Sequence, residues 1–220
     1  MSLLGSSAAL RRHKVGTRSI VLGLAVLALI VAMALDTKVV VIGSAEDVQP
    51  GVFSPEQFGA ATFPKVQAGI EARAVEAQTL AAALLKDKAA ATKQFGVPTG
   101  AGGAEFSVKF TGVVGDKKSG TYAVAVAGIP DTIAIWVRTG PAIMGTDLRD
   151  ATGEIKFGQF VNQIEYQNAG AALNKEMKKQ VLADIDTANL KGKTVSVIGA
   201  FKPINPKKWV VTPVRLEIVP

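Results

Sequence analysis

The chain contains no cysteine and a single histidine, His13, among its 220 residues. Without thiols it has no structural disulfide, no thiolate metal site and no cysteine to carry a lipid. His13 lies ahead of the longest apolar run, so everything after that run lacks imidazole as well. Ser–His and Cys–His nucleophilic catalysis, His-ligated zinc and imidazole proton transfer are therefore excluded from the main body of the chain. Carboxylate or lysine catalysis stays formally open, but no enzyme emerges from the residues. Aromatics are also sparse, at 6%. The basic cluster Lys202, Lys207 and Lys208 beside Trp209 is accordingly read as a solvated hairpin tip, with no nucleic-acid partner expected.

Charge is missing from one stretch altogether. Ser19 to Leu35 holds 17 uncharged residues and follows a basic leader, residues 1–18, containing Arg11, Arg12, Lys14 and Arg18. A bilayer core excludes charge and takes about 20 apolar residues as one helix, so 19–35 is a transmembrane anchor or an export signal. Ala32-Met33-Ala34 fits the small-x-small pattern of a cleavage site, with the cut after Ala34. Basic residues stay cytoplasmic beside a first apolar segment, which puts the N-terminus in the cytoplasm and the remaining chain outside it. The net charge of +7 comes largely from that leader; the rest carries 21 basic against 18 acidic residues, an ordinary soluble surface.

Residues 36–53 read as a linker, with an extended stretch at Lys38-Val39-Val40-Val41-Ile42. Residues 54–95 read as a helical lead-in. Ser54 can cap, Pro55 suits the first helical position and Gln57 completes a capping box, while Pro64 breaks or restarts the helix. From Pro64 to about Gln94, apolar residues at Val66, Ile70, Ala74, Ala77, Leu80 and Leu84 predict one amphipathic helix packed on the following domain. Gly96 to Gly103 reads as a flexible boundary rather than a phosphate cradle, since no Lys-Ser or Lys-Thr pair follows it.

Residues 104–220 alternate with period two. Phe106, Val108 and Phe110, then Tyr122, Val124 and Val126 across a turn at Gly115–Gly120, predict a hairpin; Thr132–Arg138 supplies a third strand. Tyr166, Ala169, Leu173, Met177 and Val181 trace a helix, and strands follow at Thr194–Phe201 and Trp209–Val219. Three strands, a helix and two strands predict an α+β, mainly β fold: an OB-like five-stranded antiparallel barrel with a helix between strands 3 and 4. A split β-sandwich is the competing architecture.

The most unusual segment is Gly140-Pro141-Ala142-Ile143-Met144-Gly145-Thr146-Asp147-Leu148-Arg149-Asp150, followed by Lys156-Phe157-Gly158-Gln159-Phe160-Val161-Asn162-Gln163-Ile164-Glu165-Tyr166. With Ala171-Ala172-Leu173-Asn174, Gly192-Lys193, Gly199-Ala200-Phe201 and the terminal VTPVRLEIV, it resembles the domain of unknown function 2291 family of predicted periplasmic lipoproteins. The resemblance runs from Lys38 to the C-terminus. It implies a membrane-attached periplasmic accessory protein, often encoded beside sugar ABC transporters, with no characterised activity. Family members often carry a lipidated cysteine just before the KVV segment; Thr37 stands there in this chain. An uncleaved helix would then have to supply the tether.

Physically, this segment offers a hydroxyl at Thr146, carboxylates at Asp147 and Asp150, a guanidinium at Arg149 and amides at Gln159, Asn162, Gln163 and Asn174. Arg149 could hold a ligand carboxylate bidentately, while Asp150, Asn162 and Gln163 could bond sugar hydroxyls. The same residues also suit a purely structural loop in which Arg149 pairs with Asp147, Asp150 or Glu165. Asp147, Asp150 and Glu154 lack the spacing of a calcium loop, so neither metal nor cofactor is expected. Two functions stay open. One is an accessory protein contacting an ABC transporter permease or its periplasmic sugar-binding protein; the other is a module that binds a small sugar or acid.

Overall fold

The computed structural model describes residues 17–36, 52–100 and 103–219, which divide into two compact units, 1–52 and 53–220. The leader up to residue 16 and most of the linker, with its extended stretch at Lys38–Ile42, lie outside the described residues. In the first unit the apolar run forms helix α1 (Thr17–Asp36), and its side chains from Val21 to Leu35 are exposed. Among the described residues no helix is long and apolar enough to cross a membrane.

The second unit opens with α2 (Pro55–Arg73), where the Ser54 hydroxyl accepts a hydrogen bond from the Gln57 N–H at 3.4 Å and Pro55 occupies the first turn. Pro64 neither breaks nor restarts it. Gly59, Phe63, Val66 and Ile70 are buried along one face on both sides of the proline, and that packing offsets the lost backbone bond. The single helix expected from Pro64 to Gln94 is instead three pieces. After α2, Val75–Glu76 (β1) pairs with Val108 and Lys109, and a second helix, α3, spans Ala77–Lys86. Asp87 then caps the amides of Ala89 and Ala90 to begin α4 (Lys88–Phe95), which leads into the short strand β2 (Gly96–Pro98).

Five strands close a hydrogen-bonded ring: β3 (Ala104–Lys118), β4 (Thr121–Ala125), β5 (Ala134–Arg138), β6 (Thr194–Phe201) and β7 (Lys208–Val219). The order is β3-β4-β5-β7-β6, and β6 pairs back onto β3. Strand β3 is long enough to serve two neighbours, β6 along Phe106–Val113 and β4 beyond it. The alternation read from the sequence fills the ring, with Phe106, Val108, Val124, Ile135, Val137, Val197, Phe201, Trp209 and Val211 all buried. Phe201 and Trp209 stack with centroids 4.7 Å apart.

The antiparallel expectation fails at one pair: Ala134–Val137 of β5 runs parallel to Lys208–Val211 of β7. Between β5 and β6 the chain forms a helical turn, α5 (Asp147–Asp150), a 3-10 turn (Phe157–Gln159) and the helix α6 (Gln163–Val181). Helix α6 packs against α2 so closely that a Cβ on Gly59 would lie 2.9 Å from the Ala172 carbonyl oxygen. On the sheet side, the Gln67 side chain donates to the Val214 carbonyl at 2.7 Å, and Arg215 pairs with Glu71 at 2.9 Å.

Candidate functional site

The strand register gathers a polar patch on the outside of the ring. Ser107 pairs with Ala200, and Ala200 with Thr212, so these three share one face. One step past Phe106↔Phe201 sets Glu105 beside Lys202, and one step past Val137↔Val211 sets Arg138 beside Thr212. Glu105, Lys202, Thr212 and Arg138 thus point away from the apolar interior. The turn carrying α5 covers them.

Asp147 is the turn's contact with the sheet. Its Oδ2 accepts a 2.7 Å hydrogen bond from the Thr212 hydroxyl and lies 3.7 Å from Arg138 Nε. Arg149 is also buried, and its fork is taken up locally. Nε and Nη2 donate to the two oxygens of Asp150 at 2.7 and 3.1 Å, Nη1 donates to the Tyr166 carbonyl at 3.2 Å, and the guanidinium lies 3.6 Å from the Tyr166 ring centroid. That arrangement is the structural loop, with Asp150 in the place where a ligand carboxylate would sit.

Above this layer lies an open cleft of about 600 Å³ whose walls include Thr146, Arg149, Asp150, Tyr166, Lys156 and Lys202. Lys202 reaches Thr99 Oγ1 at 3.1 Å on the cleft's far edge. Glu105 does not line the cleft but belongs to the buried layer below it. It is 1% exposed, and neither carboxyl oxygen has a hydrogen-bond partner. Burial pushes its carboxyl up to about 8, reinforced by Asp147 and Asp150 and opposed by Lys202 and Arg149, so Glu105 is largely protonated at neutral pH. Asp147 is likewise raised by burial, against the lowering effect of the Thr212 bond and Arg138. Burial also raises the Tyr166 phenol, with Asp150 adding to the rise.

Of the eight residues the sequence singled out, Thr146, Arg149 and Asp150 reach the cleft, and Asp147 lies beneath it. The other four are elsewhere. Asn174 is buried in α6 and donates to the Gly145 carbonyl at 3.0 Å, tying the turn down. Asn162 caps α6 by accepting from the Glu165 N–H at 2.9 Å. Gln159 closes its own turn between the Lys156 amide and the Glu154 carbonyl, and Gln163 is exposed in the first turn of α6. The sequence reading missed Glu105, Arg138 and Thr212, and it set Lys202 in a solvated hairpin tip where the structure places it in the cleft wall. Strand phase alone sets them opposite Phe106, Phe201, Val137 and Val211; their convergence requires the ring to close. Among the described residues no group of three or more His, Cys, Asp or Glu side chains is placed to hold a metal ion.

The sequence model of one protein family, described as predicted periplasmic lipoproteins and designated domain of unknown function 2291, matches residues 24–217. The chain belongs to this family. Within that periplasmic family it lacks the cysteine that a lipoprotein uses for its lipid. Among solved structures it is similar to an OB-fold protein from Thermotoga maritima MSB8, at 21% identity and a TM-score of 0.61, over 76% of this chain and 99% of that one. The likeness shows an OB-type fold for this member of the family, in keeping with the ring order. No curated protein matches the chain.

Proposed function

We propose that this chain is a periplasmic accessory protein held at the inner membrane by its uncleaved N-terminal helix, passing the membrane once with its N-terminus in the cytoplasm. The observation that carries the reading is the pairing of an apolar α1 with the absence of any cysteine in a lipoprotein family. A bacterial lipoprotein carries its lipid on a cysteine; this chain has none, so in this reading attachment falls to the helix. The partner in this reading is a sugar ABC transporter, through its permease or its periplasmic sugar-binding protein, and the protein binds and tethers without a catalytic step. Its support is the family resemblance, together with a polar centre whose strongest groups, Arg149, Asp150 and Asp147, are committed to one another and to the fold.

Two measurements test it. Carbonate extraction of membranes, with N-terminal sequencing of the mature protein, must find the chain in the pellet and starting ahead of Ala34; a soluble chain beginning at Leu35 overturns the anchor. Cross-linking in intact membranes must then recover a transporter component, and repeated recovery of none overturns the partnership.

A second reading, a small-solute binding module, is favoured by the cleft itself. Lys202 and Lys156 line it, and Glu105 below is a buried acid without a partner. A small sugar or organic acid suits such a lining. A thermal-shift screen with those two classes of compound decides it, with no shift from any of them ending the reading.

A further inference from the structure

The corner of the second unit where the 3-10 turn meets α6 presents three apolar side chains to solvent within eight residues: Phe157, 50% exposed, Ile164, 69%, and Val161, 84%. These are not on a slack loop. Asn162 Oδ1 accepts from the Glu165 N–H at 2.9 Å, and the Glu165 carboxylate accepts from the Val161 N–H at 3.0 Å, so the helix start is capped from both directions. Beneath it, Phe160 sits 5.4 Å from Phe53, 5.6 Å from Phe58 and 5.4 Å from Tyr166, and Phe157 sits 5.6 Å from Tyr166. Folding has packed one side of this segment into a half-buried aromatic cluster and left an apolar rim on the other.

Phe53 also marks where the chain enters the unit. Residues 37–52, the whole connection from α1, reach at most about 55 Å when fully extended, and they arrive at the ring that packs on Phe160. With α1 in a bilayer, this tether keeps the lipid surface at high effective concentration around the second unit. Lys156 beside Phe157 is exposed and supplies a cation for anionic headgroups, and an aromatic ring with aliphatic neighbours is a composition that settles at the lipid interface.

We infer that the rim formed by Phe157, Val161 and Ile164 docks the periplasmic domain onto the lipid surface of the membrane. The inference rests on the anchored reading for its geometry, and the test separates the two. The chain is free of cysteine, so a single Val161→Cys, Ile164→Cys or Lys118→Cys substitution gives one labelling site in the full-length protein. Lys118 is exposed at the end of β3 away from Glu105 and serves as the control. Each variant carries an environment-sensitive fluorophore and is mixed with vesicles of phosphatidylethanolamine and phosphatidylglycerol, with or without spin-labelled lipid. Retention is scored separately after a carbonate wash.

The expected result is at least twofold stronger lipid quenching at 161 and 164 than at 118, lost when Phe157→Asp is added. Equal quenching at all three sites overturns the docking, and so does a blue shift at 161 without lipid quenching, which marks a second copy as the cover. A chain retained after the wash but unquenched keeps the anchor and loses the docking. One that is released by the wash yet quenched beforehand does the reverse, and release without quenching overturns both.

Discussion

Thr212 in the middle of β7 donates a 2.7 Å hydrogen bond to the carboxylate of Asp147, the first residue of α5, across 65 positions of sequence. Both residues are buried, and the bond is how the sheet holds the turn that walls the cleft. Thr212→Val keeps the shape and removes the donor, leaving Arg138 at 3.7 Å as the carboxylate's neighbour. The variant should lose about 2 kcal/mol of unfolding free energy, the worth of a buried bond to a charged group. Because the hydroxyl favours the ionised carboxyl, the deficit should be largest at neutral pH and shrink as acid protonates Asp147. Urea unfolding at several pH values measures both; a deficit independent of pH contradicts the assigned bond.

Glu105 makes the stability of the whole unit pH-dependent in a definite direction. Its carboxyl is raised in the fold from an ordinary 4.5 to about 8, so between those values the folded state keeps a proton that the unfolded chain has lost. Stability must therefore fall as pH rises from about 5 to about 8, by at most ~1.4 kcal/mol per pH unit, and level off beyond. Asp147, also raised, adds to the same slope. Glu105→Gln removes the larger contribution. It should match the parent near pH 4.5 and exceed it at pH 8, and parallel pH profiles for the two proteins would sink the assignment.

The strands were legible because each has one face sealed inside the ring. Thr194–Phe201 is read to its exact ends, and Phe106, Val108 and Phe110 alternate as expected. What covers the opposite face is not local. Glu105 and Ser107 sit at positions that period two assigns to solvent, yet both are buried, because a turn some 40 residues later folds over them. The helical stretch misled for the converse reason: its apolar stripe runs unbroken from Val66 to Leu84, although the pairing of Val75 with Val108 interrupts the helix within it and the Asp87 side chain caps a new one just beyond it. Likewise Gln159, Asn162 and Gln163 are near Arg149 in sequence but serve the outer ends of two helical turns. Sequence proximity joined residues that the fold separates.

The contact between α2 and α6 depends on Gly59. An added Cβ meets the Ala172 carbonyl oxygen at 2.9 Å and its carbon at 3.2 Å, both backbone atoms with little room to move. Alanine gains about 1 kcal/mol in helix propensity, while forcing the helices apart costs about 1–3 kcal/mol. Gly59→Ala should come out destabilising by about 1 kcal/mol. Gly158→Ala, with nothing within 4 Å of the new atom, should stay within about 0.5 kcal/mol of the parent. Thermal unfolding of the pair separates a steric effect from a general intolerance of substitution.

Arg149 and Lys202 line the same cleft but are held differently, and that difference sorts structure from binding. Arg149 spends Nε and Nη2 on Asp150, Nη1 on the Tyr166 carbonyl and its flat face on the Tyr166 ring. Lysine keeps the charge but lacks the planar fork, so Arg149→Lys should cost about 2 kcal/mol through lost charge-assisted bonds. Lys202 makes one bond, to Thr99 Oγ1, and keeps donors for a ligand. If the cleft takes a small acid, Lys202→Met should abolish the ligand-induced thermal shift at nearly unchanged stability. Arg149→Lys should melt earlier and still respond to the ligand. The reverse pattern, a stable Arg149→Lys that no longer responds, would return Arg149 to the ligand-binding role first read from its sequence.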